Sequence, residues 1–129
     1  MMHIDIHSNA SADLHRLRKF APEAVASVLM ALQQLQADPL ALDKLTTHGN
    51  NDLAGTKLNV KRWESARSRR GDLWRFRALE TPATTYRVIY GYDWRARQMC
   101  VLAVVSKDEF DYDTQSDLGK RIFADWRNL

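Results

Sequence analysis

Residues 73 to 113 carry the clearest alternation of apolar and polar positions in the chain, in three strand-like runs that follow one another closely. From Leu73 to Leu79, Trp74, Phe76 and Ala78 fall on one face and Arg75 and Arg77 on the other, the period of a half-buried strand. From Thr84 to Tyr92, Tyr86, Val88, Tyr90 and Tyr92 share a face, which leaves Arg87 and Ile89 opposite. Gln98 to Ser106 is almost entirely apolar, which predicts a central strand covered on both sides. Thr81-Pro82 breaks the first pair of runs and Asp93-Trp94-Arg95 the second, so these short connections predict an antiparallel meander.

The flanking segments predict a cover for that sheet. Met2 to His7 alternates as a short strand, and Ser8, Asn9 and Ser11 offer caps for a helix striped by Leu14, Leu17 and Phe20. Pro22 opens a second helix, striped by Val25, Val28, Leu29, Leu32 and Leu35, that stops before Asp38-Pro39. Leu40 to Leu45 predicts a further helical turn, and Thr47 to Thr56, rich in turn formers, a loop. Leu58 to Trp63 alternates Leu58, Val60 and Arg62 against Asn59, Lys61 and Trp63, a fourth meander strand joined to Leu73–Leu79 by a long hairpin loop. Leu118, Ile122 and Trp126, four apart, predict a terminal helix capped by Asp113 or Ser116. The expected architecture is α+β in a single domain over residues 1–129: a short strand, a two-helix hairpin on an antiparallel four- to five-stranded twisted sheet, and a C-terminal helix.

Charge sharpens this picture. The chain carries +3 overall, but residues 57 to 97 hold eleven Lys or Arg against four acids, a balance of +7 that leaves −4 for the remainder. A cationic sheet on a mildly acidic body points to a polyanion met on one surface, and in cytoplasm that is nucleic acid. The tip Arg67, Arg69 and Arg70 beside Gly71 reads equally well as a solvated hairpin. With no apolar run of about 18 residues and no basic-then-apolar start, the expectation is a cytoplasmic protein without a membrane contact. Nothing implies a homo-oligomer. The single cysteine, Cys100, reads as an apolar filler, and His3, His7 and His15 show no metal-ligand spacing, so neither a metal nor another cofactor is expected.

The order of elements, with the runs LWRFRAL, TTYRVIYGYD and VLAVVSKDEFDYD, resembles the RelE/ParE superfamily of bacterial toxins from type II toxin–antitoxin modules. The likeness covers nearly the whole chain. It implies a RelE-like fold, a cognate antitoxin as partner and, in the RelE branch, cleavage of mRNA, usually on the ribosome. By the same resemblance Arg75 and Arg77 match the paired basic positions of the first meander strand, and Arg87 matches the basic residue of the second. Lys107 and Tyr112 match the basic residue and the tyrosine after the last strand, although Lys107 stands where arginine is common. ParE-like relatives with this fold instead inhibit DNA gyrase without being enzymes, the alternative to an mRNA interferase.

RNA is cut without a metal when its own 2′-hydroxyl attacks the adjacent phosphate, so a protein needs only to position, move protons and stabilise charge. Arg87, Arg75 and Arg77 suit the phosphate and its developing charge, because guanidinium forks match phosphate oxygens. Tyr112 is the candidate base, with Asp111 and Asp113 expected to push its pKa up, and Lys107 the candidate group at the leaving oxygen. Lys61 and Arg62 extend the RNA-binding surface, His48 is either a proton-transfer group or a solvated loop residue, and Trp63, Trp74 and Trp94 are candidates for base stacking.

Overall fold

The computed structural model describes residues 3–53, 56–68, 71–93 and 95–129, with the side chains of 52, 53, 56, 65–68, 71 and 72 outside the description. Arg69, Arg70, Trp94 and the side chain of Arg67 therefore lie outside the described residues, as does Met2.

The predicted meander forms as β4 (Gly71–Leu79), β5 (Tyr86–Asp93) and β6 (Gln98–Ser106), all antiparallel neighbours. The expected fourth strand is β3 (Thr56–Ser68). It pairs with β4 from Lys57↔Leu79 up to Ser68↔Gly71, broken by a register shift between Arg62 and Arg67. The expected long hairpin loop is thus replaced by continued pairing.

Two further features correct the expected sheet. Part of the predicted loop is β2 (Gly49–Leu53), an edge strand paired antiparallel to β3 despite its turn-forming residues. The Asn59 amide donates across this pair to Asn50 at 2.8 Å, and the Asn51 amide donates to the carbonyls of Lys44 and Thr47 at 3.1 Å. Polar side chains here build the edge rather than end it. At the other side β1 (His3–Ile6) pairs with β6 in parallel, His3↔Gln98 to Ile6↔Val101. The sheet is therefore six-stranded and mixed, in the order β1-β6-β5-β4-β3-β2.

Two cores cover its faces. Against one face lie α1 (Ser8–Arg18), α2 (Pro22–Ala37) and the short α3 (Ala41–Leu45), burying Leu14, Leu17, Val28, Leu32, Leu35 and Leu45 over Phe76, Val88, Tyr90 and Val101. His7 caps α1, its Nδ1 accepting from the Asn9 N–H at 3.1 Å, because Ser8 and Asn9 are already helical. Phe20 lies beyond the end of α1 and is 66% exposed, and Leu29 sits at the margin of the buried stripe, so neither joins the core as expected. The other face carries α4 (Asp117–Arg127), capped by Ser116, whose Oγ accepts from Gly119 N–H at 3.0 Å. Ile122 and Trp126 of α4 are buried against Leu73, Ile89, Leu102 and Val105. Gly91 makes room for this docking: a Cβ there would stand 2.8–2.9 Å from three atoms of the Trp126 ring. Cys100 is a buried filler of the same face, with burial pushing its thiol up to about 11.

A bulge in β6 fixes how helices meet sheet. Val101 pairs with Tyr90 and Ala103 with Ile89, so Leu102 is the extra residue, and it joins Ala103 on the α4 face. Beyond Val101, β1 no longer covers the β6 edge. His7 N–H donates to Val101 O at 2.9 Å. After it, Arg121 of α4 donates to Leu102 O at 3.1 Å, and Asp13 of α1 accepts from Val104 N–H at 3.1 Å. Arg121 and Asp13 also grip each other through two hydrogen bonds of 3.1 and 2.8 Å. The Asp13 carboxylate is 6% exposed, and it is compensated by this fork, the backbone N–H and the Arg16 guanidinium 3.8 Å away.

Asp13→Ala removes the forked contact with Arg121, which keeps Asp125 and the Leu102 carbonyl as partners, together with the acceptor of Val104 N–H. The expected cost is about 3 kcal/mol, the scale of breaking one buried charge-assisted contact. Urea denaturation checks it: a midpoint within error of the parent would mean that water replaces the contact freely.

Candidate active site

Beside α4, the same face of the sheet is cationic. Lys61 of β3 pairs with Arg75 of β4, which pairs with Ile89 of β5, and Arg87 lies two residues before Ile89. Strand alternation therefore sends Lys61, Arg75, Arg77 and Arg87 to one side of the sheet. A cavity of about 440 Å³ opens there, lined by Lys61, Arg62, Trp63, Glu64, Arg75, Arg87 and Tyr112.

Arg75 is 7% exposed, and its Nη1 donates to Asn59 O at 3.0 Å and to Asn59 Oδ1 at 2.7 Å. Arg87 Nη1 donates to Thr84 O at 3.0 Å and Tyr86 O at 3.2 Å. The backbone thus holds both guanidiniums through one nitrogen each. Burial lowers the Arg75 pKa; a Tyr112 phenolate would oppose this, and repulsion from Arg87 and Arg77 adds to it. At Arg87 burial again acts first, with Tyr112 opposing and Arg77 repelling. Arginine remains a cation through shifts of this kind. Arg77 is half-buried, its Nε lacking a partner among the described residues. No carboxylate pairs with Arg75, Arg77 or Arg87 among the described residues. Three crowded cations without a counter-ion form a site prepared for an anion, because burying charge is unfavourable unless something compensates it.

Tyr112 closes this site from the segment after β6. Its hydroxyl is buried and lacks a fully formed hydrogen bond, although Arg75 and Arg87 come within weak hydrogen-bonding reach. Burial raises its pKa, and the two arginines pull it back without cancelling the rise. The expected push from Asp111 and Asp113 does not operate, since both are exposed and burial is the cause. The phenol is thus a proton donor at neutral pH. Its backbone is left-handed, with φ 65°, and its carbonyl accepts from Trp63 Nε1 at 3.0 Å.

The structure brings Arg75, Arg87, Tyr112, Lys61 and Arg62 together around the cavity, with Arg77 close enough to repel both arginines. Lys107 does not line it: this exposed residue follows β6, its N–H donating to Thr85 O at 3.0 Å. His48 is also outside, edge-on to Trp74 with ring centroids 5.3 Å apart and its Nε2 4.0 Å from Glu64 Oε1. Trp63, although it lines the cavity, is 3% exposed and Trp74 is buried, so neither is displayed for base stacking. Sequence reasoning missed Asn59, the anchor of Arg75, and Glu64, the carboxylate of the cavity. Asn59 was legible only as a residue sharing a strand face with Lys61, while Glu64 sits in the irregular stretch of β3 that no period describes.

The electrostatics predict a titration. The Arg87 cation favours the Tyr112 phenolate, so Arg87→Ala removes a lowering influence and the Tyr112 midpoint moves further up. Tyrosine ring-carbon NMR across alkaline pH measures this. A midpoint that falls or stays in place would show that Arg87 does not face the hydroxyl.

No family model matches the sequence, and no curated protein matches it. Among solved structures, the crystal structure of the archaeal RelE-RelB complex from Pyrococcus horikoshii OT3 contains a similar chain. The TM-score is 0.47 at 21% sequence identity, over 82% of this chain and 94% of that one.

Proposed function

We propose that this protein is the toxin of a type II toxin–antitoxin module and that it cleaves mRNA without a metal. The observation that carries this reading is the cluster of Arg75, Arg77 and Arg87, without a carboxylate partner among the described residues, set around the buried Tyr112 hydroxyl. The resemblance of the meander strands to the RelE branch supports it.

Arg75 and Arg87 hold the non-bridging oxygens of the scissile phosphate and stabilise the charge that develops as the 2′-oxygen bonds to phosphorus. Arg77 adds to the positive field behind them. Glu64, the carboxylate lining the cavity, takes the proton of the 2′-hydroxyl. Tyr112, kept protonated by burial, gives its proton to the 5′-oxygen as the bond from phosphorus to that oxygen breaks. A 2′,3′-cyclic phosphate and a 5′-hydroxyl end result, and the two protein groups return to their starting states by exchange with water. Lys61 and Arg62 carry the RNA backbone to the cavity, and Lys107 meets it beyond the scissile phosphate. An antitoxin segment of acidic or amphipathic character neutralises the protein by covering this cationic face.

Arg87→Ala is expected to lower cleavage of ribosome-bound mRNA about 100-fold with the fold intact, the scale of losing one preorganised electrostatic contact. Arg87→Lys recovers part of that, because a point charge cannot reproduce a two-pronged hold. Tyr112→Phe costs on the order of 100-fold as well if the phenol is the acid. Cleavage rates with circular dichroism melts as control, together with mapping of RNA 5′ ends after induced expression, test this. Normal growth with folded protein accumulating, or growth arrest with intact RNA and inhibited gyrase supercoiling, would overturn the ribonuclease reading.

A further inference from the structure

Tyr112 depends on a residue that the proposed chemistry leaves unused. Its φ of 65° lies in the left-handed region, which residues with a side chain adopt at a cost and keep only where surroundings impose it. Locally, Asp113 N–H donates to Asp111 Oδ1 at 3.0 Å and closes a turn around it. The long-range hold comes from β3, where Trp63 Nε1 donates to Tyr112 O at 3.0 Å across 49 residues of sequence.

Trp63 is itself immobilised. It is 3% exposed, its ring stands edge-on to Phe110 at 5.1 Å and to Tyr112 at 6.0 Å, and it lies tilted against Phe123 of α4 at 5.4 Å. A phenylalanine would fill much of that aromatic box, but only tryptophan also presents an N–H to the Tyr112 carbonyl. The phenol is the far end of a lever whose base is this backbone, so a return of φ to its ordinary range would swing the hydroxyl away from the arginines.

We infer that Trp63 is a positioning residue: its indole N–H locks the left-handed backbone of Tyr112 and so aims the phenol at Arg75 and Arg87. The catalytic consequence rests on the ribonuclease reading above, whereas the geometric role stands without it.

Trp63→Phe in the full chain tests both. On RNA, kcat is expected to fall about tenfold with KM nearly unchanged, a positioning loss rather than a binding loss. In the Tyr112→Phe background the same change should cost nothing further, because its effect passes through the phenol. Independently of cleavage, ring-carbon NMR follows the Tyr112 titration, identified by the signal missing from Tyr112→Phe. Release of the phenol into water should bring its midpoint down toward the ordinary tyrosine value, since burial is what raises it. An unchanged kcat, rate losses that multiply in the double variant, or an unmoved midpoint would each overturn the inference. If Trp63→Phe does not fold, benzothienylalanine at position 63, with sulfur in place of N–H in a ring of the same shape, carries the same measurements. If the parent protein cuts no RNA, the ribonuclease reading fails while the titration still decides the role of Trp63.

Discussion

The unpaired upper edge of β6 is the constraint to which the rest of the molecule answers. Parallel β1 covers that edge only as far as Val101, and the bulge at Leu102 then turns backbone groups outward that no strand meets among the described residues. An open edge of this kind is both unsatisfied and prone to pair with other chains. The protein closes it with side chains: Asp13 from α1 takes the Val104 N–H, and Arg121 from α4 takes the Leu102 carbonyl. Their mutual fork then joins the two helices across the sheet edge. A buried ion pair adds little net stability over a well-packed apolar pair, but its geometry is specific. Here it also satisfies two backbone groups, which no apolar pair can do.

The position of α4 carries through to the cavity. Trp126 settles over Gly91, where the absence of a side chain admits the ring, and Phe123 packs on Trp63. Trp63 in turn holds the carbonyl of Tyr112. No residue of α4 lines the cavity among the described residues, so the helix supports the site from behind. One face of the sheet is thereby divided into an apolar half under α4 and a cationic half bounded by Tyr112.

The strands that build this face were legible in the sequence because a period of two survives translation into structure: Arg75 and Arg77 alternate with Trp74 and Phe76, and Arg87 faces away from Val88 and Tyr90 in both. The terminal helix was legible for the same reason, through Leu118, Ile122 and Trp126. What periodicity does not encode is pairing between distant segments. That β1 runs parallel to β6, or that turn-forming residues at 49 to 53 add an edge strand, depends on contacts rather than pattern. Tyr112 marks the same limit within the site. Its neighbours Asp111 and Asp113 suggested that acidic charge would set its pKa, whereas burial does so, with aromatic rings from β3 and the segment after β6 packed around it.

The cationic half of the face works against the folded state that presents it. Arg75 is anchored to a carbonyl of β3 and Arg87 to carbonyls at the start of β5 and in the turn before it, and those dipoles offset part of what burial takes from each charge. They do not offset the repulsion among the three arginines, which a carboxylate paired with them would do directly. Leaving that repulsion in place keeps the guanidinium forks aligned and ready, so a phosphate entering the cavity meets groups that need no reorganisation. An anion bound there stabilises the folded state by an amount that grows with the logarithm of its concentration, because the unfolded chain offers no such array. On the reading proposed above, the same arithmetic favours an acidic antitoxin segment over the face when RNA is absent. On that reading, substrate and inhibitor compete for one electrostatic deficit, so the arginines assigned to catalysis are also those through which the protein would be silenced.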